Sequence, residues 1–283
     1  MDKVTAPSVK AAKGGDKLRM VTAYDAPSAR IADRAGADII LVGDSVGNAM
    51  LGFDSTLPVT MDMMVHHTAA VVRSKPRALV VADMPWMSYH VSIEETIRNA
   101  GRFVQEGGAG AVKLEGGRKR IPAIEAVLDA EIPVMGHIGL TPQSIHAMGG
   151  YRVQGRGLEA AHTLMEDAKA LAAAGVFSLV LEGVPDLVAE RITGDIDIPT
   201  IGIGAGARCD GQVLVYHDVL GLGDGHLPKF VRKYADLGEA AVGALQAFFA
   251  DVLDGSFPAD AETYHLSEEV AAALTEERAP SDG

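Results

Sequence analysis

Five times along the chain a short run of aliphatic residues stops at a polar group. Ile39-Ile-Leu-Val42 is followed by Gly43 and Asp44, and Ala78-Leu-Val-Val-Ala82 by Asp83. Ala111-Val-Lys-Leu ends in Glu115, Pro133-Val-Met-Gly in His137, and Ser178-Leu-Val-Leu in Glu182. Continuous apolar runs of this length read as strands buried on both faces, as in a parallel sheet. A carboxylate where such a strand emerges cannot stay desolvated and unpaired, so it must meet solvent, a donor or a metal. Strands that each deliver one polar group at the same end describe the rim of an active site.

Helical stretches separate these runs. Thr60 is positioned to cap a helix, Ser92-x-x-Glu95 has the form of a capping box, and Thr141-Pro142 reads as a cap with proline at the first helical position. Gly36 and Gly175 stand where helices close on glycine. Further strands are expected at Leu18–Ala23, Pro199–Ile203 and Val213–Tyr216, and a last amphipathic helix at about 238–253. Strand and helix alternate about eight times, which implies parallel strands with right-handed crossovers. Eight units select a closed (β/α)8 barrel, whose site lies at the C-terminal strand ends. With 283 residues, 48% of them hydrophobic, the chain suits one such domain over 1–258, preceded by a short lead-in and followed by an acidic tail over 259–283.

A net charge of −13 argues against nucleic acid and anionic membranes as partners. One cysteine, Cys209, excludes an internal disulfide and a cysteine-cluster metal site, and suits a reducing cytoplasm. No apolar run reaches the ~18 residues of a membrane span.

Asp44, Asp83 and Glu115 follow consecutive strands, so their carboxylates should converge and repel unless a cation relieves them. Hard oxygen donors without cysteine favour Mg²⁺. The plainer alternative is that the two aspartates cap nearby loops. Lys113 and Glu115, two apart on one strand, share a face and bring opposite charges into the barrel. They form either an inert ion pair or an anion-binding group beside the metal. Glu182, partly desolvated, could serve as general base, or could pair with Arg152 or Arg156. His137 could hydrogen-bond a substrate or be a satisfied barrel histidine. His66-His67 and the Met61, Met63, Met64 cluster read as packing and surface. Gly202-Ile-Gly-Ala-Gly206 falls short of a dinucleotide fingerprint, because its third glycine position is Ala207 and the loop follows a seventh strand.

Longer motifs carry a resemblance. Thr22-Ala-Tyr-Asp25, Leu41-Val-Gly-Asp-Ser45, Asp54-Ser-Thr-Leu-Pro-Val-Thr60, Val112-Lys-Leu-Glu-Gly-Gly117, Gly136-His-Ile-Gly-Leu-Thr-Pro-Gln143, Gly149-Gly-Tyr-Arg-Val-Gln-Gly-Arg156 and Gly202–Gly206 occur in order. From about Thr22 to Phe257 the chain resembles the ketopantoate (3-methyl-2-oxobutanoate) hydroxymethyltransferase family. The resemblance implies a barrel of the phosphoenolpyruvate/pyruvate type and transfer of a hydroxymethyl group from 5,10-methylenetetrahydrofolate to 3-methyl-2-oxobutanoate. It implies Mg²⁺ at Asp44, Asp83 and Glu115, ketoacid binding by Asp44, Ser45, Asp83 and Lys113, and Glu182 as proton acceptor. It further implies a homo-oligomer, a decamer. Phe53, where a polar ring is common, and Gly183, where a larger residue is usual, depart from the family pattern. The rival readings are another enolate-forming lyase or mutase on the same barrel, and a non-catalytic assembly protein.

Overall fold

The computed structural model describes residues 2–223, 225 and 227–276. Eight parallel strands close into a barrel in chain order. They are β1 (Leu18–Thr22), β2 (Ile39–Val42), β3 (Leu79–Asp83), β4 (Ala111–Glu115), β5 (Val134–Gly139), β6 (Ser178–Glu182), β7 (Thr200–Ile203) and β8 (Gly211–Leu214). The alternating side chains build two cores. Ile40, Val80, Val112, Leu114, Val134 and Leu179 pack outward with the surrounding helices. Met20, Ile39, Leu41, Val81, Met135, Val180 and Ile201 fill the barrel interior. The short helix Ala6–Ala11 adds Ala6 and Val9 to that inner cluster.

The helix signals hold in part. Thr60 Oγ1 accepts from the Met63 amide at 3.3 Å, and Ser92 Oγ from the Glu95 amide at 3.1 Å. Thr141 makes no capping bond, and the residues after it form a 3₁₀ turn, Pro142–Ser144, then one helical turn, Ile145–Met148. After β2 the chain enters a short helix, Val46–Ala49. Met64 is buried, and Met61 and Met63 pack against the outer core.

β8 and β5 differ from their sequence reading by more than a residue. β8 begins at Gly211 and ends before Val215, because Gly211 pairs with both Leu18 and Ile201. A side chain there would meet Ile201 Cδ1 at 2.6 Å and Leu18 Cβ at 2.8 Å. Close packing, not strand propensity, therefore puts a glycine in this strand. β5 runs on to Gly139 because β6 pairs with it as far as Glu182.

At the N-terminal end of the barrel, the buried Asp210 carboxylate accepts from Lys13 Nζ at 2.9 Å, the Gly14 amide at 3.1 Å and the Thr200 amide at 2.9 Å. Burial raises its pKa, but Lys13 and the two amides outweigh that and hold it below the usual carboxylate range. Asp210→Ala should cost about 3 kcal/mol in denaturant unfolding, the scale for a broken buried pair. A depressed carboxylate contributes stability above its unfolded pKa, about 4, and loses it as pH falls through the folded value. The gap between wild type and variant should therefore narrow below about pH 4.

The chain divides into two compact units, one ending at Ala235 and one starting at Asp236. In the second, the helix Leu237–Asp254 brings the Phe248 ring to 5.7 Å from Phe249 and 5.3 Å from Phe257. The tail carries a further helix, Glu268–Glu276. No helix among the described residues is long and apolar enough to cross a membrane.

Candidate active site

Strand register decides which polar groups meet. Asp83 on β3 pairs with Lys113 on β4, and Glu115 on β4 with His137 on β5. On β6, Glu182 lies two residues beyond Val180, the register partner of His137. It therefore shares a face with that position. β2 stops at Val42, so Asp44 is not a strand residue. Gly43 turns the chain, and the Asp44 amide donates to Asp83 Oδ2 at 3.3 Å. Lys113 and Glu115 point into the barrel while Val112 and Leu114 pack outward, as the spacing requires.

Asp44, Asp83 and Glu115 each present a carboxylate oxygen within 4.8 Å of the others, and all three are buried. Lys113 Nζ sits 2.5 Å from Asp83 Oδ1 and 3.7 Å from Glu115 Oε1. Burial first, then repulsion from Asp83 and Glu115, pushes the Asp44 carboxyl well above its usual range. Burial also raises Asp83 against the pull of Lys113. Glu115 ends below its usual range, because Lys113 and His137 outweigh its burial. Three buried carboxyl groups thus crowd one small volume, and burial with their mutual repulsion keeps Asp44 from ionising readily. Closely spaced oxygen donors, with Lys113 on Asp83 and Glu115 but no cationic side chain paired with Asp44 among the described residues, fit a hard divalent ion such as Mg²⁺.

His137 lies between two glutamates, Nδ1 3.3 Å from Glu115 Oε1 and Nε2 3.3 Å from Glu182 Oε2. Neither nitrogen is aligned for a hydrogen bond to these oxygens. Burial and Lys113 lower its pKa, but the two carboxylates prevail and hold it up at about 9. No ion pair joins Glu182 to Arg152 or Arg156 among the described residues, so the loop-anchoring alternative has no contact behind it. Ser45 Oγ is 2.8 Å from Tyr24 Oη. His67 Nδ1 bonds the Tyr24 carbonyl at 2.7 Å, a structural contact, and His66 is exposed.

A cavity of about 100 Å³ is lined by Asp44, Ser45, Asp83, Lys113, Glu115, His137 and Glu182. It shares Ser45, Thr56, Pro142 and Glu182 with an outer cavity of about 1040 Å³ that also meets Tyr151, Arg152, Gly183 and Phe230. Gly183 has φ +55°, and a side chain there would approach Leu140 Cβ to 3.2 Å. Cys209 is buried in the outer core and lines neither cavity.

Two residues of the site had no role from sequence. Gln143 donates from Nε2 to Asp44 Oδ2 at 3.0 Å and from its amide to Glu115 Oε2 at 3.2 Å. Tyr89 Oη donates to Gln143 Oε1 at 2.5 Å. The available signal was Gln143 itself, a polar side chain directly after Thr141-Pro142 at a strand's C-terminal end.

A sequence model of the family described as ketopantoate hydroxymethyltransferase matches residues 3–260. The 3-methyl-2-oxobutanoate hydroxymethyltransferase of Syntrophomonas wolfei subsp. wolfei is 56% identical over 258 residues, 91% of this chain and 94% of that one. Its namesake in Moorella thermoacetica is 58% identical over 257 residues, 90% and 96% of the two chains. Among solved structures, a phosphonopyruvate hydrolase aligns with TM-score 0.60 at 15% identity, covering 98% of this chain and 96% of that one. A 2,3-dimethylmalate lyase of the PEP mutase/isocitrate lyase superfamily aligns with TM-score 0.58 at 19% identity, covering 98% and 97%. These structural likenesses show a shared barrel. With 56–58% identity over nearly the whole length, the chain belongs to the ketopantoate hydroxymethyltransferase family and is an enzyme of hydroxymethyl transfer.

Proposed function

We propose that the protein converts 3-methyl-2-oxobutanoate, 5,10-methylenetetrahydrofolate and water to 2-dehydropantoate and tetrahydrofolate, the first step of pantothenate biosynthesis. The observation that carries the reading is the cluster of Asp44, Asp83 and Glu115 in one small cavity with Lys113, His137 and Glu182. A phosphonopyruvate hydrolase of the same fold has been solved with oxalate and Mg²⁺, which supports a divalent ion beside a small carboxylate ligand here.

Asp44, Asp83 and Glu115 would hold Mg²⁺. When bound, the ion withdraws charge from the keto oxygen and so acidifies the neighbouring C3–H. Lys113, fixed against Asp83, neutralises substrate charge. Ser45 Oγ, held by Tyr24, and His137 hydrogen-bond the ketoacid. Glu182 removes the C3 proton, and His137 at 3.3 Å keeps its carboxylate at the cavity wall. Water frees the one-carbon unit from the folate as formaldehyde, both of its C–N bonds breaking and tetrahydrofolate leaving. The electron pair at C3 adds to that carbonyl carbon, and the carbonyl oxygen takes the proton back from Glu182 to become the hydroxyl. We assign the folate to the outer cavity, whose openings meet at Ser45 and Glu182.

Incubation with both substrates and Mg²⁺ should yield 2-dehydropantoate by liquid chromatography, and excess chelator should reduce the rate at least ~100-fold. No product from folded protein under saturating substrates would end this reading. We further propose a cytoplasmic homo-oligomer, a decamer as family resemblance suggests. Light scattering giving a mass near 29.6 kDa across micromolar concentrations would rule the oligomer out.

A further inference from the structure

We infer that Gln143 is the positioning residue of the cation site, and that its clamp on Asp44 and Glu115 makes the site prefer Mg²⁺ over Ca²⁺. The inference rests on the cation reading above. Gln143 is buried, 5% exposed, in the 3₁₀ turn after β5. The first amides of such a turn have no partner within it. Pro142 has no N–H, so the first donor available is that of Gln143, and it points at Glu115 Oε2, 3.2 Å away. The side chain reaches the other way. Nε2 donates to Asp44 Oδ2 at 3.0 Å and to the Met84 carbonyl at 2.9 Å, while Oε1 accepts from Tyr89 Oη at 2.5 Å. Every polar atom of the amide is used. The reversed amide would set its oxygen against two acceptors, so the network permits one orientation only.

One residue thus bridges two of the three candidate ligands and occupies one oxygen of each. Glu115 Oε1 already faces His137 at 3.3 Å and Lys113 at 3.7 Å. Asp83 Oδ1 is held by Lys113 and Oδ2 by the Asp44 amide. Among the described residues, only Asp44 Oδ1 in this cluster has no protein partner. A carboxylate with one oxygen tied binds a cation through the other. That suits Mg²⁺, which takes six ligands in strict octahedral geometry. It disfavours Ca²⁺, which takes six to eight and readily uses both oxygens of a carboxylate.

The test is calorimetric titration of the full chain with Mg²⁺ alone and Ca²⁺ alone, without substrate. Wild type should bind Mg²⁺ the more tightly. Gln143→Leu should lose 10–100-fold in Mg²⁺ affinity, the usual cost of removing a ligand-orienting partner. Its Ca²⁺ affinity should change by less than about threefold, because Asp44 Oδ2 is freed, so the preference should move at least about threefold. Equal losses for both ions would reduce Gln143 to a packing role and overturn the inference, as would no change in either. If Gln143→Leu does not fold, Tyr89→Phe removes the hydroxyl that fixes the amide and that also bonds the Glu115 amide at 3.3 Å and carbonyl at 3.4 Å, and the same shift should appear a few-fold in size. An unchanged preference in Tyr89→Phe would then overturn it. Wild type that binds neither ion would instead sink the cation reading, and the clamp with it.

Discussion

In D₂O, with Mg²⁺ and no folate, wild-type protein should exchange the C3 proton of 3-methyl-2-oxobutanoate for deuterium, and Glu182→Gln should slow that exchange by roughly 10² or more. Losing a general base costs a reaction about 10²–10⁴-fold, and glutamine keeps the size of the side chain while it cannot accept the proton. Glu182 is not among the three clustered carboxylates, so the variant should still bind Mg²⁺ and the ketoacid. His137 will feel the change. One of the two carboxylates that raise its pKa is gone, and it should titrate below about 9. That shift, read by NMR of the imidazole, confirms that the variant keeps its local geometry. Exchange at near the wild-type rate would mean that another group removes the proton.

Asp44→Asn and Asp83→Asn should both abolish tight Mg²⁺ binding, and only the second should destabilise the protein. Orienting partners of metal ligands are each worth 10–100-fold, so loss of a ligand itself should cost at least ~100-fold in calorimetric titration. Burial and its two neighbours push the Asp44 carboxyl well above its usual range. A neutral amide there should leave the metal-free protein as stable as wild type. Asp83 holds the buried Lys113 ammonium, and its removal leaves only Glu115, at 3.7 Å. Breaking such a pair costs about 3 kcal/mol. Equal stabilities would show that Lys113 does not depend on Asp83.

The same electrostatics predict a pH dependence. A carboxyl whose pKa is raised in the folded state keeps its proton until pH rises through that value, and must release it to bind a cation. Mg²⁺ binding to wild type should therefore release protons, detected by titration in buffers of different ionisation enthalpy. Affinity should fall by up to about tenfold per pH unit on the acid side of the Asp44 titration.

The strands and their polar ends were legible because buried parallel strands need continuous apolar runs, and a charge interrupting such a run stands out. β4 was read to the residue, Ala111–Glu115, and the opposed facing of Lys113 and Leu114 follows from the two-residue period alone. The close of the helix Leu158–Ala174 on Gly175 was equally plain. β8 was displaced because Gly211, which no propensity assigns to a strand, is required by the approach of Ile201 and Leu18. Thr141 misled for the opposite reason. It has the local form of a cap, and makes no such bond.

Alternating runs of apolar residue and turn by themselves determined the barrel, the order of its strands and the end at which Asp83, Glu115, His137 and Glu182 emerge. Those are properties of local periodicity and chain connectivity, and each can be counted along a single segment. Tertiary structure alone decided which groups touch. Strand register set Lys113 against Asp83 and stood His137 between Glu115 and Glu182. Gln143 reached Asp44, ninety-nine residues away, through a turn whose direction no local pattern carries. Contacts of that kind depend on how strands that are distant in sequence slide past one another. A shift of one residue would have turned every one of these side chains to the other face of the sheet.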